Sequence, residues 1–233
     1  MSSNHSARYP LPDVETLRRL GAKLVLKGDQ NYPVGLHDLA EPPPFLTVLG
    51  ELPIGGIAII GSRDPPTEAA DFTFALAQSL GEPVISGLAA GIDSAAHRGA
   101  LSATLQTLAY VGNGLATVYP PCNRELANRI VASGGGIASA EQPNEGVSPR
   151  ALVRRDSFQA AHARAVVLVC SETNGGAMHT MHFAKGLRRT RFALLPKDEC
   201  EYSGNRGALA DGAVALPWNV EDALRVIHDR MNY

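Results

Sequence analysis

From position 57 onward, short apolar runs recur at 57–60, 84–86, 107–111, 137–140, 165–170, 192–195 and 213–216. They are apolar throughout rather than alternating with polar residues. That is the pattern of strands covered on both faces, and so of a parallel sheet with helices on each side. Stretches of helical length separate the runs. In 67–80, Phe72, Leu76 and Leu80 stand at i, i+4 and i+8; Asn123 precedes Leu126, Ile130 and Val131 as an expected N-cap; and 220–231 makes a closing helix. Strand and helix alternate six times, so the expected class is α/β, a doubly wound and mostly parallel sheet with helices on both faces.

The stretch before the first run reads differently. Residues 1–12 form a flexible start, Asp13 caps a short helix to Leu20 that Gly21 ends, and strands at 23–26 and 45–49 flank a turn-rich stretch containing Pro42, Pro43 and Pro44. Residues 1–50 are thus expected as an N-terminal helix and preamble packed on the core, and 51–233 as the main domain. No internal repeat or low-complexity block interrupts either part.

Composition narrows the function. With 45% apolar and 19% charged residues, the 233-residue chain can bury a core and is not a disordered chain. The 21 Lys+Arg against 23 Asp+Glu leave a formal charge of −2, so any nucleic-acid binding must rest on a local patch rather than on the field of the whole molecule. Cys122, Cys170 and Cys200 form no C-x-x-C pair, which suggests neither a disulfide framework nor a cysteine zinc site and favours a reducing cytoplasm. The first twenty residues hold no apolar signal core, and no run of about 18 apolar residues occurs to span a bilayer. A cytoplasmic protein with no membrane association is expected.

In an open parallel sheet the ligand crevice lies beyond the carboxyl ends of the strands. The residues there are rich in glycine and small polar types: Gly61-Ser62-Arg63, then Ser86-Gly87 through Gly91 and Asp93, then Gly112-Asn113-Gly114, then Ser171 through Gly175-Gly176. Any one such loop is explained by the tight turns that glycine permits. Four at one sheet edge point instead to an anion or nucleotide cradle, in which backbone N–H groups and helix N-termini meet a phosphate and Arg63 supplies a bidentate clamp. Neither G-x-G-x-x-G nor G-K-[ST] occurs in these loops, which disfavours a nicotinamide oxidoreductase or a P-loop NTPase.

The string Val84-Ile85-Ser86-Gly87-Leu88-Ala89-Ala90-Gly91-Ile92-Asp93, continuing to His97, Ala100 and Leu101, resembles the signature S-G-x-A-x-G-I-D-x-x-A-H-x-x-A-L of the DprA/Smf family of DNA-processing proteins. Further matches are Tyr32-Pro33, Pro44, Gly61-Ser62-Arg63, Tyr119-Pro120 with Asn123 and Leu126, Glu141, 175–180, Gly204-Asn205 and Gly212-Ala213, so the resemblance covers roughly 32–217. It implies an extended Rossmann-like domain of the superfamily shared with the Lonely-guy proteins. It also implies non-catalytic binding of single-stranded DNA in a strand-end pocket, with Arg63 on backbone phosphate, together with RecA loading in natural transformation, homodimerisation, and no cofactor. The residues expected at that DNA- or nucleotide-binding site are Gly61, Ser62, Arg63, Ser86, Gly87, Gly91, Asp93, Asn113, Asn123, Arg154, Arg155, Gly175, Gly176, His179, Thr180, Gly204 and Asn205. The second reading, from another class, is a sensor that holds a nucleotide or nucleotide derivative in the same pocket.

Departures from the family pattern qualify both. Where the family carries F-P-x-R-N-R, this chain reads Val153-Arg154-Arg155-Asp156-Ser157, so Asp156 replaces an asparagine and Ser157 an arginine beside the expected phosphate path. The usual S-G-[ST]-x-x-T-A becomes Gly175-Gly176-Ala177-Met178-His179-Thr180-Met181. No stretch matches the family's frequent N-terminal helical or C-terminal winged-helix domain, so a minimal or divergent member is expected. The glutamate that a Lonely-guy phosphoribohydrolase needs after P-G-G-x-G-T is absent from this segment, which disfavours nucleotide hydrolysis.

Individual residues keep more than one reading. His97 is expected as a satisfied structural histidine on a helix that Asp93 caps, and His179 and His182 lack a third ligand at metal spacing, so no metal is expected. Asp93 and Glu141 can each orient a ribose hydroxyl; equally, Asp93 can cap a helix, and Glu141 can pair with Arg154 or Arg155. Lys185, Arg188, Arg189 and Arg191 fit a solvated helix C-terminus, or with Arg150, Arg154 and Arg155 an extended phosphate track, and Phe158 fits either a base-stacking role or the core.

Overall fold

Asp13 and Gly21 delimit the first helix, α1 (Val14–Leu20), as their chemistry dictates. The Asp13 carboxylate accepts from Thr16 N at 2.8 Å and Thr16 Oγ1 at 2.7 Å, and Gly21 ends the helix at a φ of 67°. The computed structural model describes residues 10–198 and 202–231, so the first nine residues of the expected flexible start, and Cys200, lie outside the described residues.

Nine strands follow among those residues: β1 (Lys23–Leu26), β2 (Phe45–Gly50), β3 (Ile57–Ile60), β4 (Val84–Ser86), β5 (Thr107–Tyr110), β6 (Gly136–Ser139), β7 (Ala165–Leu168), β8 (Thr190–Leu194) and β9 (Val214–Leu216). The helices between them are α2 (Thr67–Ser79), α3 (Ile92–Ser102), α4 (Arg124–Ala132), α5 (Pro149–His162), α6 (Ala177–Gly186), α7 (Ser203–Ala210) and α8 (Val220–Met231). Each expected apolar run therefore becomes a strand, with ends that move by up to two residues where the last apolar residues already belong to the loop.

All nine strands join one sheet in the order β1-β2-β6-β5-β4-β3-β7-β8-β9. From β6 to β9 neighbours run parallel, while β1 and β2 add antiparallel at one edge. The continuous apolar runs are explained by where their residues go. Alternate residues of each strand enter opposite cores: Ala58, Ile60, Val166 and Leu168 pack beneath α5, α6 and α7, whereas Ile57, Ile59, Ala165 and Val167 pack beneath α2, α3 and α8. A smaller cluster, including Leu126 and Ile130 of α4, covers Ala109 and Ile137.

Two expected caps do not form. Asn123 precedes α4 but makes no capping bond; its amide donates instead to Leu88 O at 2.8 Å and Ser94 Oγ at 2.9 Å. Asp93 lies inside the first turn of α3, and Gly91 holds the cap position at a φ of 75°, where a Cβ would run into the backbone of Ser62 and Arg63. Phe158 is buried with its ring edge-on to Tyr110 at 5.9 Å, so it belongs to the core rather than to a stacking surface.

His97 is fully buried, as expected of a structural histidine. Its Nε2 lies 2.6 Å from Gly87 O and its Nδ1 2.7 Å from Thr107 Oγ1. His162 is buried with its Nε2–H donating to Pro53 O at 2.9 Å and its Nδ1 accepting from the Tyr110 hydroxyl at 2.8 Å, and burial lowers its pKa to about 4. Because the unfolded chain binds this proton below about pH 6.5 and the folded chain does not, His162 contributes stability above that pH that is lost as pH falls toward about 4. Thermal melts over that range should therefore decline more steeply for the wild type than for His162→Gln; equal slopes would contradict this role.

Candidate functional site

The chain runs from β3 outward through β4, β5 and β6, then returns to the other side of β3 with β7. The loops after β3 and β7 consequently diverge to opposite faces, and a crevice opens between them. It is a cleft of about 520 Å³. Gly61, Ser62, Arg63 and Asp64 line it from the β3 loop, Asp93 from α3, Ser171 and Glu172 from the β7 loop, Gly175, Gly176, His179 and Thr180 from the start of α6, and Arg155, Asp156 and Gln159 from α5.

The loops interlock through main-chain bonds. Ser62 N donates to Cys170 O at 2.8 Å, and Ile92 N donates to Ser62 O at 3.1 Å. Asn205 holds the far wall: its Oδ1 accepts from Ser171 N at 3.0 Å, and its Nδ2 donates to Val169 O and Leu194 O at 2.9 Å each. Gly204 N donates to Ser171 O at 2.9 Å.

At the floor, Arg155 is held between two carboxylates. Its Nε is 3.3 Å from Asp156 Oδ1 and its Nη2 is 3.9 Å from Asp93 Oδ2. The guanidinium lies close to Gly87, where a Cβ would collide with Arg155 Nη1 and with the Asp93 carboxylate. A larger residue at this position would force both side chains to shift. Asp156 is 7% exposed, and its burial raises its pKa to about 7 against the opposing pull of Arg155; Asp93 adds to the rise and Arg63 opposes it.

Arg63 is the exposed cation of the cleft, and among the described residues it has no hydrogen-bond or salt-bridge partner. No side chain caps α6, and its positive dipole end faces the same space, although Met178 N and His179 N already donate to Gly175 O at 3.0 Å and Gly176 O at 3.1 Å. A fully buried Gln159 lines the cleft too, and its Nε2 has no hydrogen-bond partner. The arrangement offers one free guanidinium and the positive end of a helix, a combination suited to a phosphate. It is no basic groove, since Arg63 and Arg155 stand with Asp64, Asp93, Asp156 and Glu172.

A second hollow of about 120 Å³ adjoins the cleft and shares Arg63, Ala89, Leu152 and Arg155 with it. Leu88, Tyr110, Val111, Tyr119 and Pro120 make its walls apolar and aromatic, and Asn113 lies there with its amide donating to Gly114 O and Thr117 O.

Several residues expected at the site are placed behind it or away from it. Ser86 is buried and donates to Ile59 O at 2.7 Å; Gly87, Gly91, Asn123, Gly204 and Asn205 shape the loops without lining either hollow. Arg154 pairs with Glu141 and lines a separate cleft with Arg150, one helical step away from Arg155 and pointing elsewhere. Three cations of the basic run are paired elsewhere, Lys185 and Arg191 with Asp211 and Arg189 with Asp38 at 2.7 Å, and neither these nor Arg188 line the cleft. Sequence reasoning missed Asp64, Gln159 and Glu172 on the cleft wall and the tyrosines of the apolar hollow. The position of Asp64 and Glu172 directly after β3 and β7 was the available signal; Gln159, in mid-helix, gave none.

Fold and cleft together define a Rossmann-like domain with a cleft at the point where strand order reverses. A family model for DNA recombination-mediator protein A matches residues 23–228, and the chain belongs to that family. It is 32% identical over 198 residues to protein Smf of Synechocystis, an alignment that takes in 79% of this chain and 49% of that one. The chain thus spans about half the length of that curated relative. The X-ray structure of DNA processing protein A from Streptococcus pneumoniae superposes with a TM-score of 0.79 at 26% identity, covering 87% of this chain and 73% of that one. The fold is shared as well with DNA processing protein A of Helicobacter pylori, a protein described with a single-stranded DNA binding mode, at a TM-score of 0.79 and 23% identity, over 90% and 96% of the two chains.

Placing a methyl group under the Arg155 guanidinium should be costly. Gly87→Ala is expected to lower stability by about 1–3 kcal/mol in urea unfolding, the usual cost of overpacking. An unchanged midpoint would show that Arg155 does not rest on this backbone.

Proposed function

We propose that this chain binds single-stranded DNA without making or breaking a bond, a phosphate of the strand meeting Arg63 and the N-terminus of α6 in the strand-end cleft. The observation that carries this reading is the exposed, unpartnered Arg63 beside an uncapped helix start, at the crevice where the sheet order reverses. Family membership and the DNA binding described for the Helicobacter relative support it. The adjoining hollow suits a base, with Tyr119 available at its rim for stacking. With so few cations in the cleft, binding at one copy involves a short stretch of backbone and modest affinity. Homodimerisation, delivery of the strand to RecA during natural transformation, and a cytoplasmic setting complete the reading on the family resemblance.

A second reading is favoured by the joint shape of the two hollows: a phosphate-sized cleft next to a small apolar chamber also suits a single nucleotide. The two separate in one titration. Labelled oligo(dT) is expected to bind at low salt, Arg63→Ala to weaken it by about tenfold and to flatten the dependence of log affinity on log salt by about 0.7. Arg154→Ala, directed at the residue paired with Glu141, should leave both unchanged. No oligonucleotide binding, with a large thermal shift from one mononucleotide, would establish the second reading instead.

A further inference from the structure

The cleft holds more carboxylates than guanidinium groups, and one of the carboxylates is buried in direct contact with a guanidinium that forms the floor. We propose that Asp156 makes anion binding in this cleft proton-dependent: neutral, it leaves the floor receptive to a phosphate; ionised, it competes with that phosphate for Arg155 and Arg63. The proposal rests on the DNA reading and adds to it the residue that sets affinity for the backbone.

The geometry carries it. Asp156 lies on α5 in the cleft wall, next to Arg155 on its own helix at 3.3 Å. Arg63 and Asp64 face the cleft from the β3 loop, Asp93 from α3, Glu172 from the β7 loop and His179 from α6. Arg155 also has the Asp93 carboxylate 3.9 Å from its Nη2 and Gly87 packed close by, so its surroundings are already crowded with negative charge. A phosphate entering here therefore meets four negative charges when Asp156 is ionised and three when it is not. Protonation removes the one carboxylate that touches Arg155 Nε. Burial keeps the proton on Asp156 up to about pH 7, so the exchange falls in an accessible range.

The sign follows from linkage. A bound phosphate favours the neutral carboxyl, so affinity falls as pH rises through about 7 and levels off above it. Phosphodiesters stay fully ionised throughout, so the ligand contributes no titration of its own.

The test is oligo(dT) affinity at constant ionic strength from about pH 5.5 to about pH 8.5, for the wild-type chain and Asp156→Asn, a near-isosteric stand-in for the neutral form checked for folding by its melt. The wild type is expected to lose about tenfold across the range, the order of one unit charge in a solvated cleft, and Asp156→Asn to bind at the upper pH as tightly as the wild type does at the lower. A flat wild-type profile with binding intact would overturn the proposal. So would an unaltered slope in Asp156→Asn, which would assign the titration to another group. Absence of binding by both proteins at every pH would overturn the DNA reading, and this proposal with it.

Discussion

A parallel sheet in which the chain returns to the far side of its first strand cannot cover both faces without leaving a gap at the reversal. Here that reversal falls between β3 and β7, and the two connections leave for opposite faces. The cleft, the exposure of Arg63, the orientation of α6 and the placement of α5 across the floor all depend on it. The other strand-end loops contribute mainly by holding these parts in register. Asn205 and Asn123 illustrate this: each uses a buried amide to bridge segments that the sheet alone would leave unconnected.

The electrostatics of the cleft differ from those of a basic groove. Arg155 is a fixed element of the floor whose charge is largely answered by Asp93 and Asp156, so it organises the site more than it attracts a ligand. On the proposed reading, attraction falls to Arg63 and to the positive end of α6. On that reading such a site takes a short anionic segment, since Arg154, Lys185, Arg189 and Arg191 are paired outside the cleft. Global charge of −2 and a local phosphate site are compatible on these terms.

Strands were legible in the sequence because both faces of the sheet are covered, which forces apolar residues at every position of a run. The loops were legible because interlocked turns at close range demand glycine, as at Gly91 and Gly87. What the sequence could not convey is the direction of a side chain on a helix. Arg154 and Arg155 are adjacent in the chain, yet one faces Glu141 and the other the cleft floor, since neighbours on a helix point about 100° apart. Expected contacts of Ser86, Asn123, Gly204 and Asn205 proved to be internal bonds for the same kind of reason: small polar residues at strand ends serve the backbone as readily as a ligand, and composition does not distinguish the two.

On the proposed function, ligand binding is confined to the crevice at the strand reversal. Mapping amide chemical-shift changes in the ¹⁵N-labelled chain on adding oligo(dT) tests this directly. Changes concentrated at 61–64, 88–93, 155–159 and 171–180 are expected. Changes centred instead on Glu141, Arg150 and Arg154, or on the segment 185–191, would contradict it.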